Sequence, residues 1–253
     1  MVIGIIPNAE KEGCLQYTRK VIDWLLFRNM KPIMETFYAS EIERPACGVD
    51  TENSLFEKSE FLIILGGDGT MLRASHNAAI FNKPMLGINL GTLGYLTDVD
   101  RHEGFQAIDK VLKNDYKKEK RMMLEINSEL PQSYRMALND VCISRGASAK
   151  LITIVVMVNG LHMDTLRADG IILSTPTGST AYNLSAGGPI LKPDSEMIVI
   201  TAVCPHALYT RPWVIDADDI VEVRLVGTHD EKAVISIDGD MGFHLRNQET
   251  ISI

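Results

Sequence analysis

Apolar and polar positions divide the 253-residue chain into two regions of different periodicity. In the first hundred residues, short apolar runs alternate with stretches of helical spacing. Residues 2–6 form an apolar run closed by the turn residues Pro7 and Asn8. Leu15, Val21, Ile22, Leu25 and Leu26 then recur near helical spacing, predicting a helix over about 15–30 that Pro32 ends. Residues 33–38 suit a strand, and 41–55, rich in turn residues without a period, read as loop. The run 61–65 is continuously apolar and ends in Gly66-Gly67, the pattern of a parallel strand buried on both faces. A helix over 70–81 and a strand over 84–89 follow. This is the βαβ rhythm of a parallel sheet covered by helices.

Past residue 100 the period shortens. A helix fits 102–114, and the charged stretch 117–121 reads as a solvated face. Strands are predicted at 123–127, 135–144, 152–158, 161–166, 170–174, 197–203, 220–225, 233–237 and 250–253. Asn159-Gly160 between two of them is a strong hairpin signal. The reading is an α/β domain over residues 1–100 and a β-rich, antiparallel domain over 101–253.

Composition narrows the class. Hydrophobic content of 45% with 23% charged residues is that of a soluble globular protein. A net charge of -8 argues against nucleic acid or an anionic membrane as partner. Any phosphate chemistry must then gather positive charge locally or take it from a metal ion. No apolar run approaches the ~20 residues of a membrane span, and the first residues lack the length and basic lead of a signal peptide. Cys14, Cys47, Cys142 and Cys204 are scattered, and the histidines show no ligand spacing. Reduced thiols in a cytoplasmic protein are expected, not zinc or disulfides.

Three motifs carry chemistry. Gly66-Gly67-Asp68-Gly69-Thr70 lies at a strand-to-helix junction, where glycines let the backbone approach a ligand and helix amides attract an anion. A carboxylate in such a cradle repels phosphate unless it binds a metal or accepts a proton, both roles of phosphoryl transfer. A plain turn with Asp68 as helix N-cap explains the same residues. Asn139-Asp140 stands in an otherwise apolar strand, suiting sugar hydroxyls or another polar ligand group, or else a local bulge. Arg167-Ala168-Asp169-Gly170 is followed by Ser174-Thr-Pro-Thr-Gly-Ser-Thr-Ala-Tyr182 and on to Ser185, a loop dense in hydroxyls. Tyr182 offers a ring for stacking on a base, and Thr177 or Ser179 suits the cap of a short helix that Gly187 ends. No Gly-x4-Gly-Lys-Ser/Thr loop occurs. No Gly-x-Gly-x-x-Gly follows the first strand, which argues against an ordinary dinucleotide-binding fold.

Gly66-Gly-Asp-Gly-Thr70, Leu138-Asn-Asp140, Asp169-Gly170 and Thr175-Pro-Thr-Gly-Ser-Thr-Ala-Tyr182 stand in the order seen in NAD kinases, and the chain resembles the bacterial type of that family over about residues 60–190. Gly-Gly-Asp-Gly alone is shared with diacylglycerol, sphingosine and 6-phosphofructokinase-type kinases; the 175–182 string narrows the resemblance. It implies Asp68 as the proton acceptor for the ribose 2′-hydroxyl of NAD, with Gly69 beside the dinucleotide. It implies that Asn139, Asp140, Asp169, Thr180, Ala181, Tyr182 and Ser185 bind NAD. Arg73, Lys150 and Arg167 fall where the family often carries binding residues. Ala168 replaces a frequent glycine, which implies a small local backbone change. Asp238-Gly239 resembles a segment near the substrate, although an Asp-Gly hairpin turn explains it equally.

The resemblance further implies a Rossmann-like, phosphofructokinase-like N-terminal α/β domain and a β-sandwich-like C-terminal domain. The site would lie in the cleft between them, and the last segment could return to the first domain. NAD, with ATP or polyphosphate as donor, would be the small-molecule partners. Mg²⁺ is expected on the donor phosphates, with no side-chain ligand assigned, in a cytoplasmic homodimer or homotetramer. The competing readings are a lipid kinase of the diacylglycerol or sphingosine type and a non-catalytic dinucleotide sensor.

Overall fold

The structure, a computed structural model, describes residues 1–92, 94–97, 99–127, 135–207, 209–227 and 232–253. The chain divides into two compact units, Met1–Lys118 and Glu119–Ile253.

The first unit is built on six strands, β1 (Val2–Pro7), β2 (Lys31–Glu35), β3 (Gly48–Val49), β4 (Phe61–Gly66), β5 (Met85–Asn89) and β6 (Val99–Asp100). They pair in parallel in the order β3-β2-β1-β4-β5-β6. Five helices accompany them: α1 (Cys14–Phe27), α2 (Thr36–Glu41), α3 (Glu52–Lys58), α4 (Asp68–Ile80) and α5 (Gly104–Leu112). Ile63 and Leu65 of β4 share one core with Val21 and Leu25 of α1 and Ile108 and Val111 of α5. Leu62 and Ile64 share another with Phe56 of α3 and Ala74 and Ala78 of α4. Burial from both sides is why β4 is apolar at every position, as the run 61–65 predicts.

This strand order is the doubly wound one, despite the missing glycine fingerprint after β1. That fingerprint reports a mode of phosphate binding, whereas the order follows from which helices cover which face. Two local readings change. The strand predicted over 33–38 stops at Glu35, and Thr36–Glu41 is helical; short-range propensity in this β-branched and aromatic stretch yields to tertiary context. The loop predicted over 41–55 contains a 3₁₀ turn at Pro45–Cys47, β3, and the start of α3, where Thr51 Oγ1 accepts from the Ser54 N–H at 3.1 Å. The division also falls later than residue 100, because α5 contributes Ile108 and Val111 to the first core.

The second unit holds a six-stranded antiparallel sheet of β9 (Asp140–Ser144), β12 (Gly170–Ser174), β13 (Met197–Val203), β14 (Trp213–Asp216), β16 (Lys232–Ile237) and β17 (Asp240–Arg246). Its order is β14-β13-β12-β9-β16-β17. A four-stranded sheet runs β11-β10-β15-β18 over Leu161–Ala168, Ile152–Val158, Val221–Val226 and Thr250–Ser252. A two-stranded ribbon joins β7 (Leu124–Glu125) and β8 (Met136–Ala137), and α6 spans Tyr182–Ser185. Val141 and Ile143, Ile171 and Leu173, Ile154 and Val156, and Val223 and Leu225 meet in one core, so the two sheets pack as a sandwich. The hairpin at Asn159-Gly160 has φ of 51° and 76°, both in the left-handed region that the turn requires. The C-terminal strand pairs inside the second unit, Val223 with Ile251. Among the described residues no helix is long and apolar enough to cross a membrane.

Candidate active site

The glycine loop forms where β4 emerges from the buried sheet. A side chain at Gly66 would collide with Thr70, so the chain can turn into α4 only because position 66 has none. The Thr70 and Met71 N–H groups close on the Gly67 carbonyl at 3.0 and 3.1 Å, while those of Asp68 and Gly69 meet no acceptor among the described residues. Such amides at a helix start favour an anion. Asn8, just past β1, donates to Thr70 Oγ1 at 3.1 Å and ties the neighbouring loop to this turn.

Asp68 does not cap its own helix. Its carboxylate accepts from the N–H groups of Tyr95 (2.7 Å), Leu96 (3.1 Å) and Thr97 (3.0 Å) and from Thr97 Oγ1 (2.9 Å). A side chain at Gly94 would strike this carboxylate. Buried Asn89 supports the arrangement by donating to Thr97 Oγ1 (2.9 Å) and the Thr92 carbonyl (2.7 Å). Burial alone would raise the Asp68 pKa, but the four donors together outweigh it and hold the group below the usual carboxylate range.

In the second unit the predicted strand 135–144 breaks at Leu138-Asn139, between β8 and β9. The break is held from both sides. The Asp238 carboxylate accepts from the N–H groups of Leu138 (2.8 Å), Asn139 (2.7 Å) and Asp140 (3.0 Å). Asp238 and Gly239 also form the β16–β17 turn, with φ of 51° and 87°, the hairpin reading of that dipeptide. From the other side, Thr175 donates its N–H to the Asn139 carbonyl (2.9 Å) and its hydroxyl to that of Leu138 (2.5 Å). Gly178 lies so close to the Asn139 backbone that any side chain would collide. Asp140 is buried, and no described residue donates a hydrogen bond to its carboxylate. Burial, then the charge of Asp238, raises its pKa to about 7.

The hydroxyl-rich string is a folded knot, a 3₁₀ turn at Gly178–Thr180 followed by α6. Neither Thr177 nor Ser179 caps it: Ser179 Oγ donates to the Pro176 carbonyl at 2.6 Å and accepts from the Leu191 N–H at 3.1 Å. Buried Asn183 bonds to Ser179, Pro189 and Thr201. Tyr182 is 46% exposed and within electrostatic reach of Asp140 and Asp169, so these three share one neighbourhood. Thr180 and Ala181 are half-buried beside it, and Ser185 is exposed. Burial first, then nearby negative groups, push the Tyr182 phenol upward.

Asp169 pairs with Arg145 at 2.5 Å, a partner that no motif marked. Arg121, read as part of a solvated face, instead reaches Thr177 Oγ1 at 3.2 Å. Arg73, Lys150 and Arg167 are exposed, and the structure draws none of them into an ion pair among the described residues. Ala168 is fully buried and pairs with Ile152, so its methyl fits an ordinary strand. The four cysteines are free.

Comparison with known proteins decides the family. Residues 3–116 match the ATP-NAD kinase N-terminal domain and residues 138–253 the ATP-NAD kinase C-terminal domain. The NAD kinase of Caldanaerobacter subterraneus subsp. tengcongensis is 41% identical over 99% of this chain and 89% of its own. The chain belongs to the NAD kinase family. A second relative, the NAD kinase of Moorella thermoacetica, is 38% identical over 99% of this chain and 80% of its own. Among solved structures, yeast NADH kinase complexed with NADH superimposes with a TM-score of 0.87 at 27% identity, covering 100% of this chain and 79% of that one. An Archaeoglobus fulgidus NAD kinase in complex with ATP shares the fold, with a TM-score of 0.77 at 23% identity over 100% and 89% of the two chains.

Proposed function

We propose that this chain transfers a phosphoryl group from ATP, or another donor with a phosphate chain, to the 2′-hydroxyl of the adenosine ribose of NAD. The observation that carries this reading is Asp68: an ionised carboxylate at the head of α4, beside helix amides that have no acceptor among the described residues. Asp68 exchanges a donor from residues 95–97 for the ribose hydroxyl, orients it and takes its proton. A carboxylate held this acidic is a weak base. In a loose phosphoryl-transfer transition state the hydroxyl keeps its proton until late, so a weak base suffices.

In the second unit, Asn139 and Asp140 accept and donate hydrogen bonds to the dinucleotide's hydroxyls, Tyr182 stacks on a base, and Asp169, Thr180, Ala181 and Ser185 complete the pocket. Gly69 gives the ligand access to the backbone, and Arg73, Lys150 and Arg167 supply positive charge. No three acidic, histidine or cysteine side chains converge among the described residues. A divalent cation, Mg²⁺ by this reading, would be held by the donor phosphates and would offset their charge. The protein works in the cytoplasm as a homodimer or homotetramer, which light scattering measures.

Formation of NADP from NAD, or of NADPH from NADH, by the purified protein with ATP or polyphosphate and Mg²⁺ tests the reading. Metal-dependent product is expected, with chelation abolishing it. In Asp68→Asn, kcat should fall by ~10²–10⁴-fold, the usual worth of a general base, with folding intact. Dinucleotide binding without donor consumption would instead mark a sensor.

A further inference from the structure

The strand order of the first unit reverses between β1 and β4, and in such sheets ligands bind outside the carboxyl ends of the strands at the reversal. The loop after β1 begins Asn8-Ala9-Glu10-Lys11, and β4 is followed by Gly67 and then by the first residues of α4, Asp68 and Gly69. A tight turn fixes Lys11: its N–H donates to the Asn8 carbonyl at 3.0 Å, and its own carbonyl accepts from Cys14 at 3.1 Å. Its side chain crosses to the β4 loop. The Lys11 ammonium stands 2.8 Å from where a side-chain carbon at Gly67 would lie, and 3.2 Å from the equivalent point at Gly91, after β5. It therefore stands among the loops that follow three neighbouring strands.

Lys11 is half-buried, and its ammonium meets no carboxylate within ion-pair reach among the described residues. Asp68, next to Gly67 in the chain, spends its carboxylate on the donors at 95–97, and neither flanking acid, Glu10 or Glu12, forms an ion pair with Lys11. Two of the backbones that approach the ammonium belong to glycines, Gly67 and Gly91. Glycines carry no side chain to read a base or a sugar, and they leave the cation room to meet the oxygens of a phosphate. A lysine ammonium is a compact point charge with three donors and suits the oxygens of a phosphate chain.

We propose that Lys11 binds the phosphate chain of the phosphoryl donor, doing with one cation what the absent glycine fingerprint after β1 does elsewhere with amides. The proposal rests on the kinase reading above. ATP and inorganic polyphosphate both present this chemistry, and the test separates them.

Wild type, Lys11→Met and Lys11→Gln are compared as full-length proteins whose thermal unfolding shows them folded. The KM for ATP and for polyphosphate is measured at saturating NAD, and the KM for NAD at saturating donor. Loss of one charged contact should raise the donor KM about tenfold to a hundredfold, with the KM for NAD within about twofold. A rise for ATP alone assigns Lys11 to the nucleotide's phosphates; a rise for both assigns it to any phosphate chain. An unchanged donor KM, or a rise confined to NAD, overturns the proposal. Calorimetric binding of inorganic tripolyphosphate gives an answer independent of turnover, and equal affinity in wild type and both variants also overturns it. If the wild type forms no NADP, the kinase reading fails on its own, while the tripolyphosphate titration still decides whether Lys11 binds phosphate.

Discussion

Asp68 and Asp140 are both acids in a polar setting, yet their pKa values move in opposite directions. Asp68 is met by four donors and stays ionised across the neutral range. Asp140 is buried with no donor on its carboxylate and beside Asp238, so it holds its proton to about pH 7. For a carboxyl raised in the folded state, the native protein binds the proton more tightly than the unfolded chain, and stability falls as pH rises between the unfolded value near 4 and the folded value. Asp140→Asn should therefore match wild type near pH 4 and exceed it at pH 8 by a few kcal/mol, since each tenfold difference in proton affinity is worth ~1.4 kcal/mol. Urea unfolding at the two pH values measures this, and equal stability at pH 8 would refute the assignment. The same group should make the KM for NAD fall as pH rises through about 7, since only the ionised acid accepts two hydroxyl bonds, and the step should vanish in Asp140→Asn.

At the scale of elements, the Leu138-Asn139 break depends on two contacts from distant parts of the chain. Asp238 holds three amides at 2.7–3.0 Å, and Gly178 gives the backbone room to approach. Asp238→Ala leaves those amides unpaired and should cost at least ~2 kcal/mol, while Asp238→Asn keeps one acceptor oxygen and should lose less. Gly178→Ala overpacks the contact and should cost ~1–3 kcal/mol, with a raised KM for NAD but little change in the KM for ATP. A variant as stable as wild type, with normal NAD kinetics, would remove the contact from the site. The strong periodicities, at β4, α1, α4 and the Asn159-Gly160 hairpin, were legible because local pattern and burial agree there. The helix at Thr36–Glu41 and strands β14 and β17 were not, because their partners rather than their own residues select the conformation.

In the whole molecule, the two units carry separate cores, and the segment that joins them is exposed at every residue over 113–120. Trypsin should cut first after Lys117, Lys118 or Lys120, giving two fragments near the division at Lys118 and Glu119, and mass spectrometry identifies the cut. Early cleavage elsewhere would contradict this division. By itself the sequence determined the fold class, the chemical character of each motif and the family, since each depends on patterns within a few neighbouring residues. Only the tertiary structure decided that Asp68 grips the 95–97 loop, that Asp238 sets the backbone of Asn139 and Asp140, and that Lys11 stands over Gly67. Those contacts join residues from about thirty to a hundred positions apart or set a side chain against a bare backbone. No local period encodes such pairs; they exist only once buried strands bring their ends together.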